Sequence, residues 1–215
     1  MVSLLRRLAW RLDWLRAAPA LALARRSAAG PAIERDLARW RQCHELPTSW
    51  NDDRALVHLL AVFPEFRNLL EYRTRRENPI LRGVAFRLRK PVETLILDIG
   101  ELGPGLFIQH GFATIVSAER MGADCWINQQ VTVGHVYNRG CPRFGDRVTL
   151  AAGAVVVGPS NVGDDVNIGA NTTVVKDVAS GAVVVGPPSR VIDRIEVIGP
   201  AGGNVDPRTR ATPVN

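Results

Sequence analysis

The chain has 215 residues, of which 46% are hydrophobic and 22% charged, and its formal net charge is +6. No uncharged stretch reaches the ~18 residues of a membrane-spanning helix. Cys43, Cys125 and Cys141 form an odd set without metal-type spacing, which indicates a reduced cytoplasmic protein. Residues 1–90 hold 18 basic and nine acidic side chains, a net charge of +9, so the basic character lies in the N-terminal region.

The first 16 residues have helical periodicity. One arc of about 100° on a helical wheel holds Leu4, Leu5, Leu8, Leu12 and Leu15. Arg11, Asp13 and Arg16 interrupt the apolar stretch that a secretory signal needs. The stripe suits either a contact between subunits or an anionic membrane surface, reached through residues 1–30.

Two further helices are predicted over residues 31–43 and 52–75, the second capped by Asn51 or Asp52. Pro91 then breaks the helical pattern. From this change of pattern we expect three parts: a helical region (residues 1–92), a β domain (residues 93–195) and a flexible tail (residues 196–215).

From Phe144 onward the chain repeats every six residues. The first position of each hexad is apolar and is occupied by Phe144, Leu150, Val156, Val162, Ile168 and Val174. The fifth position is small or β-branched and is occupied by Val148, Ala154, Ser160, Val166 and Thr172. A fixed short period indicates one structural unit stacked on copies of itself, here three hexads per triangular coil. The repeat predicts a mainly β protein, a left-handed parallel β-helix behind an α-helical N-terminal domain.

The repeat is interrupted at two places. An upstream run ends at Val133-Gly134, and the register resumes only at Phe144, so residues 135–143 are predicted to form an extruded loop. Between Ile108 and Ile115 the interval between inward-facing residues is predicted to widen from six to seven, and His110 lies in this bulge.

Motifs along the β domain support a family resemblance. They are Gly103-Pro104-Gly105, Ile108-Gln109-His110, Trp126–Gly134 with Asn128 and Gln129, Leu150–Ala154, and Gly186-Pro187-Pro188-Ser189-Arg190. With these motifs the chain resembles the hexapeptide-repeat acyltransferases, and within them the serine acetyltransferase branch. The resemblance covers roughly residues 55–195.

The resemblance implies an acetyl-CoA-dependent O-acetyltransferase without a metal, in which each active site lies between two of three neighbouring β-helices. The matching residue His110 is then the general base that takes the proton of the acceptor hydroxyl, a task that suits imidazole near neutral pH. Asp98 corresponds to the aspartate that orients this histidine, although the interval of 12 residues is shorter than in the family. A backbone N–H beside Gly134 is placed to stabilise the developing oxyanion.

The same resemblance assigns binding residues. CoA is expected along Gly134, Ala152, Gly153 and Gly169, with Lys176 and Arg190 near its nucleotide end. Turn geometry explains the small residues equally well. The acceptor pocket is expected to include Gln109, Asn128, His135 and Arg139, although His135 also fits a plain surface loop.

Two departures from the family concern the acceptor. Gln109 stands where the family has an aspartate for the substrate ammonium group, and Gly140 and Cys141 stand where it has an arginine-histidine pair for the carboxylate. Burying an amino-acid zwitterion without counter-charges is costly. We therefore expect a sugar hydroxyl in glycan synthesis as the acceptor, with L-serine as the alternative and a catalytically silent scaffold as a third reading.

The expected assembly is a homotrimer or a dimer of trimers in the cytoplasm, with residues 1–30 as the segment that would attach it to the inner face of a membrane. No nucleic-acid partner is expected, because the N-terminal charges alternate with apolar stripes as on a solvated helix. A zinc carbonic anhydrase on the same fold needs three histidines, and only His110 and His135 lie in the β domain.

Overall fold

The computed structural model describes residues 2–137, 140–186, 197–198 and 204–205. Helices precede a left-handed parallel β-helix of about five turns, which confirms the predicted fold class. The predicted tail, residues 196–215, lies outside the described residues except for four residues in two short strands.

The described helices are α1 (Val2–Arg26), α2 (Gly30–Cys43), α3 (Asp52–Val62), α4 (Pro64–Arg73) and α5 (Pro79–Leu88). One helix was predicted over residues 52–75, but the structure has two, α3 and α4. The helix is interrupted at Phe63, which is extended with φ −110° and ψ 100°. Pro64 causes this break, since proline disfavours the helical conformation in the residue before it. Helix α5 was not predicted. None of the described helices combines the length and apolar character needed to cross a membrane.

The strands of the β-helix are short and parallel. They are β1 (Leu95–Leu102), β2 (Phe107–Ile108), β3 (Thr114–Met121), β4 (Trp126–Ile127), β5 (Thr132–Gly134), β6 (Arg143–Phe144), β7 (Thr149–Leu150), β8 (Val155–Val157), β9 (Asn161–Val162), β10 (Asn167–Ile168), β11 (Thr173–Val174) and β12 (Val183–Val184). An antiparallel pair follows, β13 (Val197–Ile198) and β14 (Asn204–Val205).

The strands stack into three faces. Face one contains the start of β3 with β5, β8 and β11, and face two contains the end of β3 with β6 and β9. Face three contains β2, β4, β7, β10 and β12. Strand β1 pairs with β3 along its whole length, so both eight-residue strands bend across the corner between faces one and two.

The interior of the prism confirms the hexad pattern. All six first-position residues and all five fifth-position residues are buried. The bulge differs from the prediction, because Ile115 is 45% exposed whereas Val116 is fully buried. Ile108 pairs with Ile127 and Val116 pairs with Val133. The interval from Ile108 to Val116 is therefore eight residues, whereas the paired interval in the next coil is six. The corner that follows His110 therefore contains two extra residues.

The helices are fixed to the first coil by a buried ion pair. Arg73 donates to Asp36 at 2.8 Å, and the two side chains are 5% and 2% exposed. Arg73 also donates to the carbonyls of Leu102 and Gly103, and Asp36 accepts from the backbone N–H of Gly105 at 2.7 Å. Burial raises the pKa of Asp36, and the hydrogen bonds from Arg73 oppose that shift. This pair joins α2 and α4 to the start of the β-helix.

Replacing Arg73 with methionine should therefore destabilise the protein by about 3–5 kcal/mol, because Asp36 would remain buried without its partner. Chemical denaturation followed by circular dichroism measures this change. Arg76→Met is the matched control: Arg76 is exposed on the same segment, and its loss should change stability by less than about 0.5 kcal/mol. Equal stability of the two variants would contradict a structural role for the ion pair.

Candidate active site

His110 lies at the corner between faces three and one, directly after β2. Its backbone has a left-handed φ of 55° and its side chain is exposed. The next residue, Gly111, is buried, and a Cβ there would lie 2.8 Å from Leu95 Cδ2 and 3.2 Å from Glu65 Cγ. A side chain at residue 111 would have to displace these neighbours, so glycine favours the close approach of α4 to the corner. Glu65, at the start of α4, therefore lies near Gly111, the residue after His110.

His44 and His58 both pack against the ring of Phe63, the residue before α4. Burial lowers the pKa of His44, the Glu65 carboxylate raises it, and His58 and His110 lower it further. Burial also lowers the pKa of His58. The His44 ring stacks on Phe63 at 3.8 Å, and its buried Nε2 has no hydrogen-bond partner among the described residues.

Glu65 and His44 were not predicted as part of a site. The sequence offered one signal for Glu65, its position beside Pro64 at the start of a helix. It gave no sign that Glu65 approaches Gly111, 46 positions later. Within the described part of the chain, these side chains do not form a group that could hold a metal.

Several predicted residues stack along one edge of the prism, which we call the His110 edge. Hydrogen bonds between successive coils define it: Gln109 N to Ile127 O (2.8 Å), Asn128 N to Leu150 O (3.0 Å), Ala151 N to Ile168 O (2.9 Å) and Gly169 N to Val184 O (2.8 Å). Ala152 and Gly153 follow Ala151 at this edge. Adjacent coils are ~4.8 Å apart, so His110 and Ala152 are separated by roughly 10 Å along the axis.

The two predicted glycines on this edge have packing roles of their own. Gly153 has a φ of 70°, and a Cβ there would lie 2.3 Å from Asn171 Oδ1. A Cβ on Gly169 would lie 3.1 Å from the carbonyl oxygen of Val184. The left-handed backbone and the close Asn171 side chain therefore favour glycine at residue 153 independently of any ligand.

A second edge, between faces one and two, is called the Gly134 edge. It carries Gly134 and His135 at the start of the extruded loop, and Lys176 just after β11. His135 and Lys176 are both exposed. A Cβ on Gly134 would meet no atom within 4 Å, so the space beside this residue is open. The predicted residues thus occupy two edges of one prism rather than a single site.

Asp98 lies on the Gly134 edge. Asp98 pairs with Ser117 of β3. The preceding residue of β3, Val116, pairs with Val133 of β5. Asp98 is therefore in register with Gly134, which follows Val133. Asp98 is exposed, and the described contacts include no hydrogen bond between it and His110. Asp98 and His110 of one chain therefore lie on different edges of the prism.

Three arginines near the predicted site remain to be placed. Arg143, at the end of the extruded loop, donates to Glu119 at 2.6 Å. Arg139 and Arg190 lie outside the described residues. Cys125 is buried, and burial raises its pKa to about 11, so its thiol is unreactive at neutral pH.

Comparison with known proteins identifies the family. The chain is 34% identical over 146 residues to a serine acetyltransferase of Helicobacter pylori, and the match covers 63% of this chain and 85% of that protein. This chain belongs to the serine acetyltransferase family of hexapeptide-repeat acyltransferases. No protein-family model matches it.

A second relative and a solved structure agree. The chain is 31% identical over 161 residues to a serine acetyltransferase of Synechococcus elongatus, which covers 70% of this chain and 64% of that relative. A structure of soybean serine acetyltransferase complexed with serine matches the fold with a TM-score of 0.56 and 24% identity, covering 75% of this chain and 68% of that one. These findings confirm the predicted resemblance.

The same findings contradict the sugar acceptor. The relatives are serine acetyltransferases, and a matching structure contains serine. The prediction of a sugar was wrong, and it had considered only the residue beside His110 and the extruded loop as sources of counter-charge. Glu65 approaches the same corner from α4.

Proposed function

We propose that this protein transfers the acetyl group of acetyl-CoA to the hydroxyl of L-serine. The observation that carries the proposal is the exposed His110 on an open corner of a serine acetyltransferase fold, with Glu65 of α4 packed near Gly111, the residue that follows His110. An imidazole can take the proton of the serine hydroxyl, and a carboxylate can pair with its ammonium group.

The chemistry needs one base and one oxyanion donor. Imidazole of His110 takes the proton of the serine hydroxyl as its oxygen attacks the thioester carbonyl. The carbonyl oxygen gains negative charge, which a backbone N–H beside Gly134 stabilises. When the carbon–sulfur bond breaks, the imidazolium returns the proton to the CoA thiolate. The products are O-acetyl-L-serine and CoA.

Glu65 is proposed to supply the negative charge that Gln109 lacks. Its Cγ lies within 3.2 Å of the space beside Gly111, so its carboxylate can reach a substrate bound against His110. A charged hydrogen bond to an ammonium group contributes about 1.5–3 kcal/mol. Glu65 is thus the specificity residue for the amino end of serine.

The active site is proposed to lie between two subunits of a trimer. His110, Gln109 and Asn128 occupy the His110 edge, whereas Asp98 and Gly134 occupy the Gly134 edge. A threefold assembly that sets one edge against the neighbour's other edge completes the site and brings Asp98 to the neighbour's His110.

CoA is proposed to run along the His110 edge. Ala152 is partly exposed there, and small residues let the thin pantetheine arm approach the backbone. Lys176, exposed on the Gly134 edge, is proposed to reach the phosphates of CoA from the adjacent subunit.

Three acceptors test the function through the release of CoA thiol. L-serine has both charged groups, 3-hydroxypropionate lacks the ammonium group, and ethanolamine lacks the carboxylate. We expect the highest kcat/KM with L-serine and lower values with both analogues. Equal rates with the three compounds, or no thiol release with L-serine, would contradict the proposal.

The Glu65→Gln variant should lower kcat/KM for L-serine about ten- to hundred-fold, because one charged hydrogen bond is lost. Most of the effect should appear in KM for serine, while KM for acetyl-CoA stays unchanged. The rate with 3-hydroxypropionate should not fall, since this acceptor has no ammonium group. Glu71→Gln, on the same helix, is the control. A proportional loss with both acceptors would refute the ammonium contact.

A further inference from the structure

The outer surface of the helical region carries an apolar stripe that no described residue covers. On α1, Leu8, Leu12 and Leu15 are 56%, 44% and 70% exposed. Their spacing of four and three residues places them on one side of the helix. Ala22, one heptad after Leu15, continues the same side.

Helix α5 extends the stripe. Ile80, Val84 and Leu88 are 78%, 46% and 47% exposed, and their spacing of four residues also places them on one side. Ile80 and Val84 line a shallow groove together with Ala22 of α1. The two helices also pack along their length and are joined by an ion pair between Arg89 and Asp13. The α1–α5 stripe, defined by these six exposed residues, is therefore one continuous surface.

The charges around the stripe are mostly positive. Residues 8–26 and 77–90 hold eight basic side chains and two acidic ones, Asp13 and Glu77. On a helical wheel Arg11 and Arg16 fall on opposite sides of the leucines. Arg11, Arg16 and Arg87 are exposed, and the described ion pairs include none of them.

The exposed aliphatic side chains and the positive charges around them together indicate which kind of partner the stripe binds. A second copy of the same surface would place arginines against arginines, which is unfavourable. A nucleic acid would satisfy the arginines but offers no apolar partner for six exposed aliphatic side chains. An anionic lipid surface satisfies both, because the acyl region takes the aliphatic side chains and the headgroups take the arginines.

We propose that the α1–α5 stripe binds the protein to anionic membrane surfaces. The helices lie in the interface with the stripe against the lipid and Arg11 and Arg16 at the headgroups. This attachment is independent of the acceptor, since it uses no residue of the candidate active site.

Co-sedimentation with vesicles tests the proposal on the full-length chain. Wild type should pellet with vesicles containing phosphatidylglycerol and stay in solution with phosphatidylcholine alone. The pair Leu15→Gln with Ile80→Gln removes two aliphatic contacts and should weaken partitioning at least about tenfold. Both residues are largely exposed, so the fold should persist, which circular dichroism verifies.

Two further pairs separate apolar contact from charge. Val183→Gln with Val185→Gln removes aliphatic residues that are 68% and 72% exposed on the β-helix, and should bind like wild type. Arg11→Gln with Arg16→Gln should lose the preference for phosphatidylglycerol. No pelleting of wild type, or equal pelleting of wild type and the Leu15/Ile80 pair, would overturn the proposal. If wild type does not bind vesicles and the Leu15/Ile80 pair forms a smaller assembly, the stripe is a contact between copies of the chain, and the proposal is overturned.

Discussion

Replacing His110 with alanine is expected to lower turnover with L-serine about 10²–10⁴-fold, the usual contribution of a general base. Without imidazole, the serine hydroxyl must attack the thioester before it loses its proton. His110 is exposed and makes none of the described side-chain hydrogen bonds, so its removal should leave stability unchanged. Affinity for CoA and the mass of the assembly should also stay as in wild type.

His58→Ala is a useful control for this variant. His58 influences the pKa of His44, as His110 does, but its ring packs against Trp50 at 5.1 Å between centroids rather than lying at the exposed corner. Its replacement should reduce turnover by a small factor at most. Turnover of His110→Ala within a few-fold of wild type would remove the assigned base.

Mixed assemblies should show whether the active site is shared between chains. Gly134→Phe is a suitable blocking variant, because the space beside Gly134 is open and its φ is not left-handed. Each variant alone, His110→Ala or Gly134→Phe, is expected to be nearly inactive. A site between chains is intact only where a normal His110 edge meets a normal Gly134 edge.

Equal mixing of the two variants should restore about a quarter of the wild-type activity per site, since half of each edge is normal and the pairing is random. The measurement is thiol release after refolding or co-expression, with the mixed composition verified by mass spectrometry of the intact trimer. Activity no higher than that of the separate variants, in confirmed mixed trimers, would place the whole site within one chain.

The repeat allowed most of the β domain to be predicted. Side chains in a narrow prism must be apolar or small at fixed intervals. The burial of the first-position residues from Phe144 to Val174 could therefore be predicted from the sequence. The same register showed that His110 lies where the repeat is irregular. Local patterns of this kind are strong because each residue contacts its equivalents one coil away.

Contacts between distant segments were not predictable in this way. The start of a new helix at Pro64 has a local cause, yet nothing near Glu65 in the sequence indicates that it approaches Gly111. Ile115 was assigned to the interior because an aliphatic residue looked suitable, whereas the register with Val133 places Val116 there. The wrong acceptor had the same origin, since counter-charges were sought only beside His110 and in the extruded loop.

The most direct test of the central claim is identification of the product formed from L-serine and isotope-labelled acetyl-CoA. Nuclear magnetic resonance should show the labelled acetyl group on the serine oxygen, in an amount equal to the CoA released, and His110→Ala should form almost none. Release of CoA without acetylated serine, or an equal amount of product with His110→Ala, would contradict serine acetylation at this site.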